Sequence, residues 1–200
     1  FTVRKLVEKF HRPVEAHFHE DFGLSVATTI AALKAGASVA HVTVNGTGER
    51  AGNCPIEPLV LSLECLYGQK TNVKTELLLE TSKLVEELSG HKVPQTKAII
   101  GAEIFGWETG MPTGLWKNCK DEDPLVMLPY LWSMTGQREP LISLGKKSGK
   151  ANIQIWLEKL GKEMDDEKMD ALLGEIKQRS IDEKRVLQED EFLSLLEKYQ

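Results

Sequence analysis

Over its first 68 residues the chain alternates between two hydrophobic periods, and that alternation narrows the fold more than any other feature. Residues 2–11 place Val3, Leu6, Val7 and Phe10 at i, i+3, i+4 and i+7, the apolar stripe of an amphipathic helix, and Arg12-Pro13 ends it. Val14 to His19 is short and strand-like. Residues 23–35 are rich in small and aliphatic side chains and read as a helix, with Gly36 as its C-terminal stop. Ser38 to Val44 is β-branched and strand-like. Residues 45–53 hold three glycines in nine positions and form a loop. A further helix then carries Ile56, Leu59, Val60, Leu63 and Tyr67. Strands alternating with helices imply βα units and parallel pairing. Two strands cannot close a barrel, which needs eight strands and about 250 residues. The sheet expected here is therefore part of a larger one, or is completed by another chain.

After Gly68 the strand signal fades. Leu77, Leu78, Leu84, Val85 and Leu88 mark a helix ended by Gly90, and the Gly-, Pro- and Trp-containing stretch 100–149 is expected to be irregular. Three helical stripes follow: Ile153, Trp156, Leu157 and Leu160; Met169, Leu172, Leu173 and Ile176; Phe192, Leu195, Leu196 and Tyr199. Composition closes off other classes. Of 200 residues, 41% are hydrophobic and 28% charged, as in an ordinary globular chain. The net charge of -5 argues against a nucleic-acid partner. No apolar run approaches the roughly 18–20 residues of a membrane helix, and no secretory pattern opens the chain, which begins on Phe1 and enters a helical stripe at once. Three cysteines without CxxC spacing make neither a disulfide framework nor a zinc-finger set, so a reducing cytoplasm is expected.

Two features carry chemistry. His17 and His19 are two residues apart on a short strand, so both imidazoles project from one face, at the strand end where parallel α/β proteins build their sites. Two imidazoles with oxygen ligands suit Zn²⁺, Mn²⁺ or Fe²⁺; two hydrogen-bonded histidines at a strand end is the plainer alternative. In the following loop, Asn45-Gly46-Thr47-Gly48-Glu49-Arg50-Ala51-Gly52-Asn53, the glycines allow close backbone approach to a ligand. Arg50 can fork a carboxylate or phosphate, with Asn45 and Gly46 beside it on the substrate side. Asn53 offers either an amide oxygen to a metal or an N-cap to the next helix, with Pro55 in its first turn. Other candidates point to structure. Gly145-Lys146-Lys147-Ser148-Gly149-Lys150 lacks the phosphate-loop order and reads as a turn before the helix at 151–160. His41, between Ala40 and Val42, reads as a packed core histidine. His11 and His91 sit near helix ends, and Trp107, Trp116 and Trp132 read as packing anchors.

Two stretches together resemble a known family. His17-Phe18-His19-Glu20-Asp21-Phe22-Gly23-Leu24 and Thr43-Val44-Asn45-Gly46-Thr47-Gly48-Glu49-Arg50-Ala51-Gly52-Asn53 are similar to the two C-terminal signatures of the homocitrate synthase / 2-isopropylmalate synthase family. That family is the Claisen-condensing branch of the pyruvate carboxyltransferase-like, HMG-CoA lyase-like metal-dependent TIM barrels. Leu144 to Lys150 resembles a segment those synthases carry after the barrel, and the terminal helices resemble their small α subdomains. The resemblance implies an α/β fold: the C-terminal portion of a (β/α)8 TIM barrel, its last βα units at 1–70, then a linker helix and irregular segment at 71–145 and a mainly α-helical subdomain at 146–200. It implies a divalent metal (Zn, Mn or Mg) held by His17 and His19, with Asn53 at or near it. The activity implied is an acyltransferase joining acetyl-CoA to a 2-oxo acid in amino-acid biosynthesis.

The departures from the family shape the remaining expectations. The acidic ligand and catalytic Arg of the first barrel strand are absent from these residues, so the N-terminal half of the barrel must come from the same gene or a separate subunit. With two imidazoles and no carboxylate ligand, the chain alone is expected to hold metal weakly and not to turn over. The family's post-barrel histidine segment corresponds to residues 107–115, where Trp107 and Pro112 replace the histidines; Glu108 or Tyr130 is the expected replacement acid/base. The usual His-Asn-Asp has become His19-Glu20-Asp21, which points to a nonstandard 2-oxo acid, oxaloacetate being one option. A subunit of a split enzyme, a non-catalytic regulatory paralogue, and a lyase or aldolase running the cleavage direction are the alternatives. Open strand edges and apolar surface point to a homo-oligomer.

Overall fold

The computed structural model describes residues 1–199 and divides the chain into two units, Phe1–Ile104 with Ser133–Gln137, and Phe105–Trp132 with the residues from Arg138 onward.

In the first unit, strand and helix alternate as the hydrophobic periods require: α1 (Thr2–Phe10), β1 (Glu15–His17), α2 (Ser25–Lys34), β2 (Val39–His41), α3 (Ile56–Cys65) and α4 (Leu78–Ser89). The two strands are parallel, with Glu15 opposite Val39, Ala16 opposite Ala40 and His17 opposite His41. Side chains alternate across a strand, and burial follows: Ala16 is buried while Glu15 and His17 are exposed. The small side chains Ala16, Ala32 and Ala37 pack together, with Val3, Phe18 and Leu33 against them. Ile30, Cys54 and Leu59 form a second cluster with Ala40 and Val42. One face of the strand pair therefore carries the core, and the other, bearing Glu15, His17, Val39 and His41, is open.

Both strands are shorter than the strand-like runs at 14–19 and 38–44 predict. Past His41 the chain changes partner: the Thr43 N–H donates to Cys54 O and the Ile56 N–H to Thr43 O, and Val44–Gly46 becomes a 3-10 turn. The helices hold their predicted places within a residue or two. Leu24, at the N-cap of α2, offers no side-chain acceptor, and the carboxylate of Glu20 reaches forward to take the Ser25 N–H at 3.1 Å. An acid at that end also suits the helix dipole. The N-cap of α3 is Pro55, not Asn53, and Tyr67 lies beyond the end of the helix.

The second unit corrects the expectation of an irregular stretch at 100–149. It holds a short parallel pair, β3 (Gly106–Trp107) with β4 (Leu141–Ile142), and a ten-residue helix, α5 (Gly110–Cys119). Gly110, Pro112 and Gly114 make α5 a poor helix by propensity; tertiary contact overrides that, with Thr113 and Trp116 buried. Trp116 lies with its ring centroid 5.3 Å from Trp107 and 6.1 Å from Trp132, so the three tryptophans are packing anchors as predicted. α6 (Lys150–Leu160), α7 (Asp166–Glu183) and α8 (Glu189–Glu197) follow their three stripes, which meet in one core of Ile153, Leu157, Met169, Leu172, Ile176, Phe192, Leu195 and Leu196. No helix among the described residues is long and apolar enough to cross a membrane.

Candidate functional site

The Gly52–Cys54 backbone runs antiparallel beside Phe18–Glu20. The Glu20 N–H donates to Gly52 O at 3.0 Å, the Cys54 N–H to Phe18 O at 3.1 Å, and His19 and Asn53 form a bridge pair. Main-chain bonds thus deliver Asn53 to His19, while the strand period delivers His17, whose ring centroid is 5.1 Å from that of His19. Gly52 has φ +93°, a conformation that L side chains rarely adopt, and a methyl there would overlap the carbonyl oxygen of Gly46.

The donor chemistry at this point fits a divalent cation. His19 Nδ1 and Asn53 Oδ1 are buried and make no hydrogen bond. The Asn53 amide nitrogen donates to Thr47 O at 3.3 Å, which turns the amide so that Oδ1 faces away from that contact. Leaving a buried acceptor unmet costs about 1–3 kcal/mol, and a cation bound by an imidazole nitrogen and an amide oxygen would satisfy both. Among the described residues no group of three His, Cys, Asp or Glu side chains is arranged to hold a metal ion. The donors here are two imidazoles and one amide.

Around these donors the loop is locked by groups that sequence reasoning assigned elsewhere or missed. Arg50, at φ 55°, forks Asp21 through Nε and Nη2 at 2.9 and 3.0 Å, tying the glycine loop to the His-x-His segment. The guanidinium holds the Asp21 carboxyl below its ordinary range, so this tie is complete above the usual aspartate pKa and lost only as pH falls through the lowered one. Asn45, at φ 62°, uses its whole amide on Ser82 of α4: Nδ2 donates to Ser82 O at 3.0 Å and Oδ1 accepts from Ser82 Oγ at 2.6 Å. Its backbone N–H donates to Glu57 Oε1 at 2.7 Å. Gly46 accepts the Asn53 N–H at its carbonyl. Arg50, Asn45 and Gly46 are therefore brought to the loop that carries Asn53, with two of their side chains already engaged.

Glu57 has no exposed surface, and its Oε2 has no hydrogen-bond partner. Burial pushes its carboxyl pKa up against the opposing pull of the Asn45 N–H. A raised carboxyl pKa removes stability as pH rises from the ordinary glutamate value toward the raised one. Glu57→Gln keeps the acceptor for Asn45 and removes the buried charge. Its stability relative to the natural chain is expected to grow as pH rises above about 4.5, the ordinary value. Glu57→Ala, which strands the Asn45 N–H, is expected to cost about 2 kcal/mol. Urea unfolding at several pH values reads both. The signal for Glu57 was an acid in the first turn of a helix, directly before the apolar run Leu59-Val60-Leu61.

The remaining candidates sit as follows. His41 is not a core residue: it is exposed on the open face, opposite His17, and its Nε2 donates to Glu15 Oε2 at 2.7 Å. The apolar neighbours Ala40 and Val42 point to the other face. Glu108 and Tyr130 belong to the second unit. Glu108 Oε1 accepts the Lys147 N–H at 2.9 Å, and its carbonyl accepts from Asn152 Nδ2, so it anchors the Gly145–Gly149 turn. That turn spends its amides on protein acceptors, Gly145 N–H on Ser148 Oγ and Lys146 N–H on Ser180 Oγ of α7, in line with a turn and not a phosphate cradle. Tyr130 packs against Phe105 with ring centroids 5.5 Å apart.

Comparison with known proteins identifies the relatives of this chain. Residues 2–85 match the HMGL-like family. A protein of Archaeoglobus fulgidus named "Probable 2-isopropylmalate synthase" is 41% identical over 191 residues, which is 95% of this chain and 37% of that protein. "Homocitrate synthase 1" of Nostoc sp. is 37% identical over 195 residues, covering 97% of this chain and 50% of that protein. The chain thus spans between about a third and a half of the length of these relatives. With its two signature loops side by side and near-complete coverage by such relatives, the chain belongs to the HMGL-like family and, within it, to the homocitrate synthase and 2-isopropylmalate synthase group.

Proposed function

We propose that this chain contributes the metal-binding rim of a TIM-barrel synthase that condenses acetyl-CoA with a 2-oxo acid, and that β1 and β2 are its last two barrel strands. The observation that carries the proposal is the adjacent pair of buried, unpartnered acceptors, His19 Nδ1 and Asn53 Oδ1. His17, His19 and Asn53 would hold the cation, and a carboxylate from outside the described residues would complete the set. When bound, a divalent cation supplies Lewis acidity to the ketone of the 2-oxo acid.

The chain's own residues prepare that site. His17 is fixed at the strand end by the parallel register, His19 by its antiparallel bridge to Asn53, and Asn53 also by its main-chain bond to Gly46 and its amide contact to Thr47. Because Asn45 is tied to Ser82 and Arg50 to Asp21, what the loop presents to a substrate is chiefly its glycine backbone. The Arg50–Asp21 fork holds the two loops together while the substrate carboxylate is oriented. Glu108 or Tyr130 is proposed as the proton-transfer group, in the place of the family's histidine.

Isothermal titration of the chain with a panel of 2-oxo acids tests the reading. Binding is expected with Mn²⁺ or Zn²⁺ present, to be lost on chelation, and to be lost in His17→Ala. Binding that is indifferent to metal, or that survives loss of His17, would sink it. The preferred acid in the panel names the substrate, which relatives bearing two different synthase names leave open.

A further inference from the structure

The open face of the strand pair carries a second polar pair that the site above does not use. Glu15 and His17 are two residues apart on β1, so both project to the same side, and His41 lies opposite His17 in the parallel register. His41 Nε2 is 2.7 Å from Glu15 Oε2. A carboxylate only accepts, so Nε2 carries the hydrogen. The pair bridges the two strands: Glu15 sits one step behind His17 on β1 and holds a side chain that belongs to β2. The anchored imidazole lies edge-on to His17, with ring centroids 5.7 Å apart and planes at 77°. His17 also meets His19, at 5.1 Å and 71°. The His17 ring thus touches both a donor of the proposed site and a ring fixed by a charge-assisted hydrogen bond.

We infer that Glu15 and His41 are positioning residues for His17, holding its imidazole in the orientation that a cation shared with His19 and Asn53 requires. The physical need is clear from exposure. His17 stands on the open face, where rotamers are not fixed by packing, and a ligand free to rotate loses affinity on ordering. Outer residues that orient a metal ligand typically account for 10–100-fold in affinity. The inference rests on the metal reading proposed above, but it concerns a different pair of residues and can fail separately.

Co²⁺ titration of the chain, followed by its d–d absorption, is the test, with His17→Ala as the reference for site-specific binding. His41→Ala and Glu15→Ala are each expected to weaken His17-dependent Co²⁺ binding by about tenfold and to alter the band shape. Glu15→Gln, which still accepts from His41, and His41→Gln, which can still donate to Glu15, are expected to stay within about twofold of the natural chain. Equal affinity and an unchanged spectrum in His41→Ala overturn the inference. So does an equal loss in the alanine and glutamine variants, because that would assign the effect to the residues' general presence and not to the bond. Should the natural chain show no His17-dependent Co²⁺ binding, the metal reading fails, and the positioning claim is read from the metal-free protein. There, ¹³C relaxation of the His17 ring is expected to report faster motion in His41→Ala, and unchanged relaxation overturns it. All of these positions are exposed, and circular dichroism checks that each variant is folded.

Discussion

Replacing His17 or His19 by alanine is expected to remove divalent-cation binding from this chain altogether. Structural zinc sites with four ligands bind with about 10–16 kcal/mol, so one ligand accounts for roughly 3 kcal/mol, or about a hundredfold in affinity. A site built from two imidazoles and one amide starts weak, because none of its donors brings a charge. A hundredfold loss takes it beyond detection. Asn53→Ala is expected to cost less, since an amide oxygen is a poorer donor than an imidazole nitrogen for a borderline cation. The ordering His17 and His19 above Asn53, read by Mn²⁺ paramagnetic resonance or Co²⁺ absorption, checks the donor assignment residue by residue. Equal binding by the natural chain and by the His17→Ala, His19→Ala double variant would remove the candidate centre.

The second large effect is on stability. Phe192→Ala is expected to destabilise the helical unit by about 4 kcal/mol, within the range for phenylalanine truncation in a filled core. Phe192 is fully buried, lies 5.3 Å from the Trp156 ring, and touches the cluster contributed by α6, α7 and α8. No solvent can reach the space left behind, so the loss of contacts adds to the transfer cost. At roughly 4–8 °C per kcal/mol for a unit of this size, the melting temperature should fall by about 15–30 °C. Calorimetry of the variant measures it directly. Because Phe192 belongs to the second unit, a Co²⁺ titration at low temperature should leave the His17 and His19 donors unaffected.

What could be read from the sequence was decided by the length and regularity of each pattern. The stripes of α6, α7 and α8 were legible because several apolar residues at helical spacing leave little choice, and all three reach one core. The parallel βα order of the first unit was legible for the same reason. α5 was hidden because Gly110, Pro112 and Gly114 contradict helix, and its burial depends on partners distant in sequence. His41 was misread because its neighbours are apolar; applying side alternation from His17 across the register would have put it on the open face. The proximity of Asn53 to His19 was legible from the βα order, which makes their loops consecutive, and from the family signatures; the backbone bonds that join Gly52–Cys54 to Phe18–Glu20 leave no mark on side-chain pattern. Glu20, a departure from the family's usual asparagine, has a local use that spacing alone did not suggest: its longer side chain reaches the first turn of α2.

The way Asn53 reaches His19 has a practical consequence. Both ends of the glycine loop are stitched by peptide groups, at Gly46 with Asn53 and at Gly52 with Glu20. The exposed tip from Thr47 to Ala51 hangs between those stitches. Residues such as Glu49 and Ala51 can therefore be randomised as a library with the donors behind them held in place, and the library screened for a change in the 2-oxo acid preference proposed above.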